Sequence, residues 1–269
     1  MGVMPAVGTA DRRGPRPSDF VVAAACILAV LLFGSPDRGA RPSLSASAGG
    51  APSVGTGSLH APDTSSSSTD VVDPDGVQRR VVPAEGLALT FDDGPDPRWT
   101  PAVLDLLRRH RMRATFCVVG EHVATHPELV RRIADEGHAL CDHTWTHDEA
   151  LASRPTAIVR AELRRTYDAV VAATGGRAPL YFRAPAGRWS PRVVAEARRL
   201  GLRPLGWSVD PADWRGPPPA AIASQVLQGA THGAIVLLHD GYGHRAATVA
   251  ALDTILPALA ERRLSLVVP

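Results

Sequence analysis

After Arg80, short apolar runs alternate with longer segments in which apolar residues recur at helical spacing. The short runs have the length of buried strands. They are Leu87–Phe91, Ala114–Val119, His138–Asp142, Leu180–Phe182, Arg203–Ser208, Ala234–Leu238 and Leu264–Val268. The intervening segments predict helices over Thr100–His110, Pro127–Glu136, Pro155–Ala173, Ser190–Leu200, Pro219–Gln228 and Ala246–Arg262.

The boundaries of these helices carry independent signals. Several segments begin with Thr-Pro, His-Pro or Ser-Pro, and Gly137 and Gly201 lie where a helix is expected to end. Strands that alternate with helices favour parallel pairing with right-handed crossovers. We therefore predict an α/β fold, a closed or nearly closed (β/α)7 barrel of parallel strands, with an open doubly wound sheet as the alternative.

Ionisable side chains follow five of the predicted strands. In order along the chain they are Asp92 and Asp93, His143 and His147, Arg183, Asp210 and Asp213, and His239 and Asp240. The carboxyl ends of parallel barrel strands meet at one face, where active sites of such barrels are built. This placement predicts a functional site there, with the carboxylates and imidazoles close together.

Two features of this set point to a metal ion. Adjacent carboxylates such as Asp92 and Asp93 resist being ionised together unless a cation lies beside them. His143 and His147, four residues apart, supply two imidazoles, and one carboxylate with two His side chains is a credible tridentate site for a divalent metal. The alternatives are a turn cap for the acids and structural roles for the imidazoles.

The N-terminal region has a different character. Arg12, Arg13 and Arg16 precede the uncharged apolar stretch Phe20–Phe33, a pattern typical of an export signal. We predict an export signal or membrane anchor over residues 1–34, with a soluble cytoplasmic chain as the alternative. Residues 35–80 are rich in Ser, Gly and Pro and predict a disordered tether. The folded domain is then residues 81–269.

Composition narrows the range of partners. The chain has 269 residues, 45% of them hydrophobic, which suffices for one domain and a tail. Its formal net charge is +2. This balance argues against nucleic acid as an obligate partner. Cys117 and Cys141 fall in consecutive predicted strands, and we expect buried reduced thiols there, with a disulfide as the alternative.

Five segments carry a family resemblance. Thr90–Gly94, His143–His147, Arg183–Gly187, Asp210–Trp214 and Leu237–His239 resemble the five ordered motifs of the polysaccharide deacetylase family, carbohydrate esterase family 4. The resemblance covers about residues 85 to 269. It implies a metal-dependent enzyme, usually with zinc, that removes acetyl groups from polysaccharides on a distorted barrel of seven parallel strands.

The resemblance also implies a role for individual residues. The implied metal ligands are Asp93, His143 and His147. Asp92 is the implied general base, held by Arg183, and His239 is the implied general acid, with Asp213 raising its pKa. The backbone N–H near Ala186 is expected to bind the oxyanion, and Trp214 and Leu237 to line the acetyl pocket.

Two positions depart from the family pattern. Ala186 replaces an aromatic residue, which alters the expected wall of the sugar pocket. Cys141-Asp142 replaces Gly-Asn, so that Asp142 either adds a negative charge near the metal, orients His143, or points away toward a surface Arg.

The resemblance and the N-terminal pattern together lead to one expected function. We predict a secreted or membrane-tethered monomer that uses a divalent metal, zinc or cobalt among others, to deacetylate N-acetylglucosamine polymers such as peptidoglycan or chitin. The alternatives are an acetylxylan esterase and a catalytically silent wall-binding module.

Overall fold

The computed structural model describes residues 72–81, 86–262 and 264–269, so the predicted export signal and most of the predicted tether lie outside it. Within these ranges, seven parallel strands form one sheet. Their bounds are β1 Gly86–Asp92, β2 Thr115–Val118, β3 Ala139–Asp142, β4 Tyr181–Phe182, β5 Arg203–Pro204, β6 Ile235–His239 and β7 Ser265–Leu266. The sheet order is β5-β4-β3-β2-β1-β6, with β7 beside the start of β1.

Helices connect the strands and cover the outside of the sheet. They are α1 Trp99–Arg109, α2 Gly120–Thr125, α3 Pro127–Asp135, α4 Thr156–Thr174, α5 Pro191–Arg199, α6 Pro219–Gly229 and α7 Ala246–Glu261. All six predicted helices are found within one or two residues of their expected ends. The short helix α2 was not predicted, because six residues are too few to establish an apolar period. No helix in the described part of the chain is long and apolar enough to span a membrane.

Strand β1 pairs with β2, β6 and β7, and all its residues are buried. Its side chains alternate between two environments, as strand geometry requires. Leu87, Leu89 and Phe91 pack in the cluster that contains the helices, whereas Ala88 packs in a second cluster, inside the curved sheet. Thr90 and Asp92 share the inward face with Ala88. The inside of the sheet therefore becomes polar toward the carboxyl end of β1.

The sheet closes into a distorted barrel at two levels. Toward the carboxyl ends, Val209 forms a parallel bridge with Val236 of β6. Nearer the amino ends, residues 78–81 lie between β5 and β6, because Gln78 pairs with Leu205 and Arg80 pairs with Ala234. We call residues 78–81 the strap. The closed or nearly closed barrel predicted from the sequence is confirmed.

The strap corrects the predicted start of the domain. Residues 72–80 were assigned to the tether, yet Val77 is fully buried and Gln78 donates its N–H to the Pro204 carbonyl at 2.9 Å. The assignment was wrong because Asp73, Pro74, Asp75 and Gly76 resemble a linker, and the few apolar residues after them are too short a run to indicate a strand.

Strand β5 is shorter than predicted. Its ladder ends at Pro204, although the apolar run continues to Ser208. The carbonyl groups of Leu205 and Gly206 accept hydrogen bonds from the Arg183 side chain, at 3.1 and 2.9 Å. These carbonyls serve the interior of the barrel instead of a neighbouring strand, which accounts for the early end of β5.

The two core cysteines form a disulfide bond. Cys117 and Cys141 are register partners on β2 and β3, with Cα atoms 4.2 Å apart, and both side chains belong to the inner cluster. The expectation of two reduced thiols is therefore wrong. The sequence placed the cysteines on consecutive strands, but it did not reveal that they share a register position and a face.

Candidate active site

Three potential metal ligands meet at the carboxyl face of the barrel. One carboxylate oxygen of Asp93 and one imidazole nitrogen from each of His143 and His147 lie within 4.8 Å of one another. Asp93 Oδ1 is 3.5 Å from His143 Nε2 and 3.3 Å from His147 Nε2. The three residues predicted as metal ligands are thus brought together from the ends of β1 and β3.

The backbone is distorted where these side chains leave the strands. Asp93 has φ of 76° and His147 has φ of 57°, values in the left-handed region that residues other than Gly seldom adopt. Such conformations cost energy and concentrate at functional sites. The Asp93 peptide is also held from outside, because a Cβ at Gly241 would overlap the Asp93 carbonyl. Glycine at 241 lets the loop after β6 pack directly on the loop that carries Asp93.

The donor set fits a divalent metal of the zinc type. His143 Nδ1 lies 2.9 Å from the Arg183 carbonyl, so it carries the proton and leaves the Nε2 lone pair for a metal. Burial alone would raise the pKa of Asp93, but the neighbouring imidazoles of His143, His239 and His147 lower it to about 2. An ionised carboxylate and two imidazoles match the ligands that Zn²⁺ prefers in catalytic sites, which keep a position open.

Asp92 is fixed by a buried arginine. Arg183 Nη1 donates to Asp92 Oδ1 at 2.6 Å and to Thr90 Oγ1 at 2.8 Å, while its other nitrogens bind the carbonyls at 205 and 206. Arg183 is fully buried, although arginine rarely is. The second oxygen of Asp92, Oδ2, lies 3.6 Å from His143 Nε2 and so faces the metal cluster. The resemblance predicted this pairing of Arg183 with Asp92.

A second acid and imidazole pair approaches from β6. His239 Nδ1 lies 2.7 Å from Asp213 Oδ1, and Asp213 Oδ2 accepts the His239 backbone N–H at 3.0 Å and the Thr248 hydroxyl at 2.7 Å. Burial alone would lower the pKa of the His239 imidazole. The hydrogen bond and charge of Asp213, with the charges of Asp92 and Asp93, outweigh burial, so the pKa is raised. His239 therefore holds a proton more tightly than a free histidine.

These groups border one cleft of about 720 Å³. The predicted residues that line it are Asp92, Asp93, His143, His147, Ala186, Trp214, Leu237 and His239. Arg183 and Asp213 lie behind this surface, in contact with Asp92 and His239. All ten residues predicted for the site thus belong to one arrangement. Asp210 also lines the cleft, and its Oδ1 accepts the Ala212 N–H at 2.7 Å.

Two other acids at the strand ends are buried away from the cleft. Asp142 is fully buried, its Oδ1 accepts the Thr144 N–H at 2.8 Å, and burial raises its pKa well above the usual range. It supports the loop between the two histidines, so the alternative in which Asp142 points away toward a surface Arg is wrong. Asp240 is equally buried, and its Oδ2 accepts the Thr100 hydroxyl at 2.5 Å.

Sequence reasoning missed several residues at the site. His122 on α2 has Nδ1 2.8 Å from the Asp93 carbonyl, and the Tyr242 ring packs edge-on against both His122 and His147. Trp207 lines the cleft beside Gly187, where a Cβ would lie 2.6 Å from the indole. No motif marks these positions. For Tyr242 a signal existed, since an aromatic residue between two glycines directly follows the sixth strand.

Comparison of the sequence with known proteins identifies the family of this chain. The model of the polysaccharide deacetylase family matches residues 79–205. A chitooligosaccharide deacetylase from Rhizobium leguminosarum bv. trifolii is 45% identical over 189 residues, which cover 66% of this chain and 87% of the relative. The chain belongs to the polysaccharide deacetylase family, carbohydrate esterase family 4.

Solved structures agree with this assignment. The peptidoglycan N-acetylglucosamine deacetylase Bc1960 is 34% identical, with a TM-score of 0.67 over 70% of this chain and 87% of its own. A family 4 pseudoenzyme from Bacillus anthracis, BA3943, is 27% identical, with a TM-score of 0.63 over 68% of this chain and 63% of its own. The fold thus occurs both in a named deacetylase and in a named pseudoenzyme.

Proposed function

We propose that this protein is a metal-dependent deacetylase that hydrolyses the N-acetyl group of N-acetylglucosamine units in a polysaccharide. The observation that carries the proposal is one cleft bordered by the Asp93, His143 and His147 cluster and by His239. Asp92, fixed by Arg183, lies between them on β1, next to β6. Amide hydrolysis needs an activated water and a proton donor for the leaving amine, and this cleft supplies groups for both.

Asp93, His143 and His147 would hold the metal, for which zinc is our first choice and cobalt an alternative. A bound divalent ion supplies Lewis acidity toward the acetyl carbonyl and makes water more acidic. The hydrogen bond from His143 Nδ1 to the Arg183 carbonyl keeps Nε2 turned toward that ion. Because Arg183 also binds Asp92, one buried side chain and its carbonyl align both a metal ligand and the adjacent acid.

Asp92 would act as the general base. Its Oδ1 is occupied by Arg183, and its Oδ2 faces the metal cluster, where the attacking water must lie. Water adds to the acetyl carbon while its proton passes to Asp92 Oδ2. The Arg183 guanidinium holds Asp92 in a single hydrogen-bonded geometry. The positive charge is buried with its partner, so solvent does not screen it.

His239 would donate the proton that releases the amine. When the C–N bond breaks, the sugar nitrogen takes the proton from His239 Nε2 and acetate is left in the cleft. Asp213 holds Nδ1 at 2.7 Å and favours the protonated ring. The Ala186 backbone N–H would bind the developing oxyanion, and Trp214 and Leu237 would surround the acetyl methyl group.

The polymer and its location are part of the same proposal. The chitooligosaccharide and peptidoglycan deacetylases among its relatives favour an N-acetylglucosamine chain as the substrate. Such chains lie outside the cytoplasm, in accord with the export signal or anchor predicted for residues 1–34. We propose a monomer that works on the cell wall or on chitin-like glycans, with residues 20–33 as a tether where they are retained.

Acetate release by the full-length protein tests the proposal. Wild type and Asp92→Asn are incubated with N-acetylglucosamine oligomers and with peptidoglycan, with and without chelator. We expect acetate from wild type, its loss with chelator, its return with zinc, and at least a hundredfold lower rate for Asp92→Asn. Acetate that is unaffected by chelator would contradict the metal assignment.

Two alternatives predict different outcomes. An acetylxylan esterase would release acetate from acetylated xylan but none from the oligomers or peptidoglycan. A silent binding module would bind the polymer saturably without turnover. The BA3943 pseudoenzyme provides a precedent for such a module on this fold. Against it stands the complete set of charged groups, since Asp92, Arg183 and His239 all have the partners that catalysis requires.

A further inference from the structure

Tyr242 lines the cleft at a different place from Trp214. Trp214 follows β5 and adjoins Asp213, the partner of His239. Tyr242 follows β6, but its ring contacts His122 and His147, with centroids 4.7 and 5.5 Å apart. Those histidines follow β2 and β3, so the loop after β6 crosses the end of β1 to reach them. Tyr242 and Trp214 therefore border different parts of the cleft.

The backbone at Tyr242 is held on both sides, and its ring is left open to the cleft. It is 41% exposed and lines the cleft. Its φ of 40° is in the left-handed region, where a bulky residue is an outlier that persists only if its surroundings impose it. The surroundings do so on both sides, because Gly241 packs on the Asp93 peptide and the Gly243 carbonyl accepts the Trp99 indole N–H at 3.1 Å.

The cleft is also larger than one acetylated sugar requires. Its volume of about 720 Å³ lies in the upper part of the 300–1,000 Å³ range of pockets that enclose drug-sized ligands. The groups assigned to the acetyl group and the bond that breaks occupy the side of Trp214, Leu237 and His239. The part of the cleft that Tyr242 lines has no assigned part in that chemistry.

We propose that Tyr242 forms a second sugar subsite, which binds the pyranose ring next to the N-acetylglucosamine unit that is deacetylated. A pyranose presents an apolar face of C–H bonds, which packs on an aromatic ring, and the phenol hydroxyl can bond to sugar hydroxyls at the rim. The subsite makes the protein select oligomers over single sugars. This inference rests on the proposed function, and it adds a binding position that the reaction itself does not need.

Two substitutions separate ring stacking from backbone effects. Asn adopts the left-handed region readily, so Tyr242→Asn removes the ring without strain at this position. Tyr242→Phe keeps the ring and removes the hydroxyl. Leu180→Asn is the matched control, since Leu180 is 50% exposed and directly precedes β4, at the other end of the barrel. The full-length variants are assayed with the N-acetylglucosamine dimer and pentamer and with 4-nitrophenyl acetate.

For Tyr242→Asn we expect KM for the pentamer to rise about tenfold, as loss of one aromatic contact predicts, with kcat nearly unchanged. Turnover of 4-nitrophenyl acetate and zinc affinity should change much less than the KM for the pentamer. Tyr242→Phe should retain most of the pentamer affinity, and Leu180→Asn should behave as wild type on all three substrates.

Other results would overturn the subsite. Equal losses on the pentamer and on 4-nitrophenyl acetate, or weaker zinc binding by Tyr242→Asn, would show that the ring merely supports His147. An unchanged KM for the pentamer would show that the ring contacts no sugar. Failure of wild type itself to release acetate from any oligomer would instead reject the proposed function, so the two failures are distinguishable.

Discussion

Arg183 and Asp92 form a fully buried ion pair in which Nη1 and Oδ1 are 2.6 Å apart, at the floor of the cleft. The guanidinium also donates hydrogen bonds to the Thr90 hydroxyl and to the carbonyls of Leu205 and Gly206. One side chain thus links β1, β4 and the segment after β5. The pair therefore holds the closed barrel together as well as positioning Asp92.

Replacing Arg183 with Lys should impair both stability and activity. Lysine keeps the charge but lacks the planar fork, so it cannot bind Asp92 and both carbonyls together. We expect a loss of about 3 kcal/mol in the free energy of unfolding, measured by urea titration, because breaking a buried pair leaves unsatisfied groups. The exposed Arg164–Asp168 pair provides the control, since Arg164→Lys should change stability by less than about 1 kcal/mol. Equal effects of the two substitutions would contradict this account.

Asp213→Asn should move the pH profile of catalysis to the acid side. Asp213 raises the pKa of His239, and the proposed general acid must be protonated. Removing the charge lowers that pKa, so the descending limb of kcat should shift by about one pH unit or more toward lower pH. Thr248→Val, which removes one hydrogen bond to Asp213 but leaves its charge, should shift the limb less. A limb that stays in place would exclude His239 as the acid.

Metal removal should destabilise the folded domain. The proposed metal site exists in the folded state alone, so zinc at a thousandfold excess over its Kd should add about 4 kcal/mol to the free energy of unfolding. Differential scanning calorimetry of wild type with zinc and with chelator measures the change in Tm. His147→Ala should lose this zinc response, whereas His126→Ala, at the start of α3 and paired with Glu128, should keep it.

Asp240→Asn should alter how stability depends on pH in the metal-free protein. Burial, together with the charges of Asp93 and Asp92, raises the pKa of Asp240 to about 7 despite its hydrogen bond from Thr100. The folded state therefore binds a proton that the unfolded state has released, and the free energy of unfolding falls as pH rises from about 4 to about 7.

Asn at 240 carries no charge and should remove this slope. We expect the variant to be more stable than wild type by about 4 kcal/mol at about pH 8 and little different at about pH 4, by urea titration with chelator present. Asp253→Asn, an exposed change on α7, should follow the wild-type slope. Parallel slopes for wild type and Asp240→Asn would show that Asp240 does not titrate in this range.

The site was more predictable than the parts of the fold that support it. Asp92, His143 and His239 could be found because each follows an apolar run, and parallel strands bring their carboxyl ends together whatever the details of the loops. The disulfide could not be predicted, because the register of β2 against β3 depends on packing that a short apolar run does not specify. Tyr242 and His122 were missed for a related reason, since their importance arises from contacts between loops that are distant in sequence.

The strap carries a practical consequence for anyone who expresses the domain. A clone that begins at residue 81, as the linker-like composition upstream invites, would delete Gln78 and Arg80 and leave the Leu205 and Ala234 edges of the barrel without their bridging partner. Arg183 holds the Leu205 carbonyl from inside, so fraying of that seam would reach the floor of the cleft directly. Inactivity of such a truncated protein would then reflect the loss of the strap and not the absence of catalytic residues. A clone that starts upstream of Val72 keeps the strap.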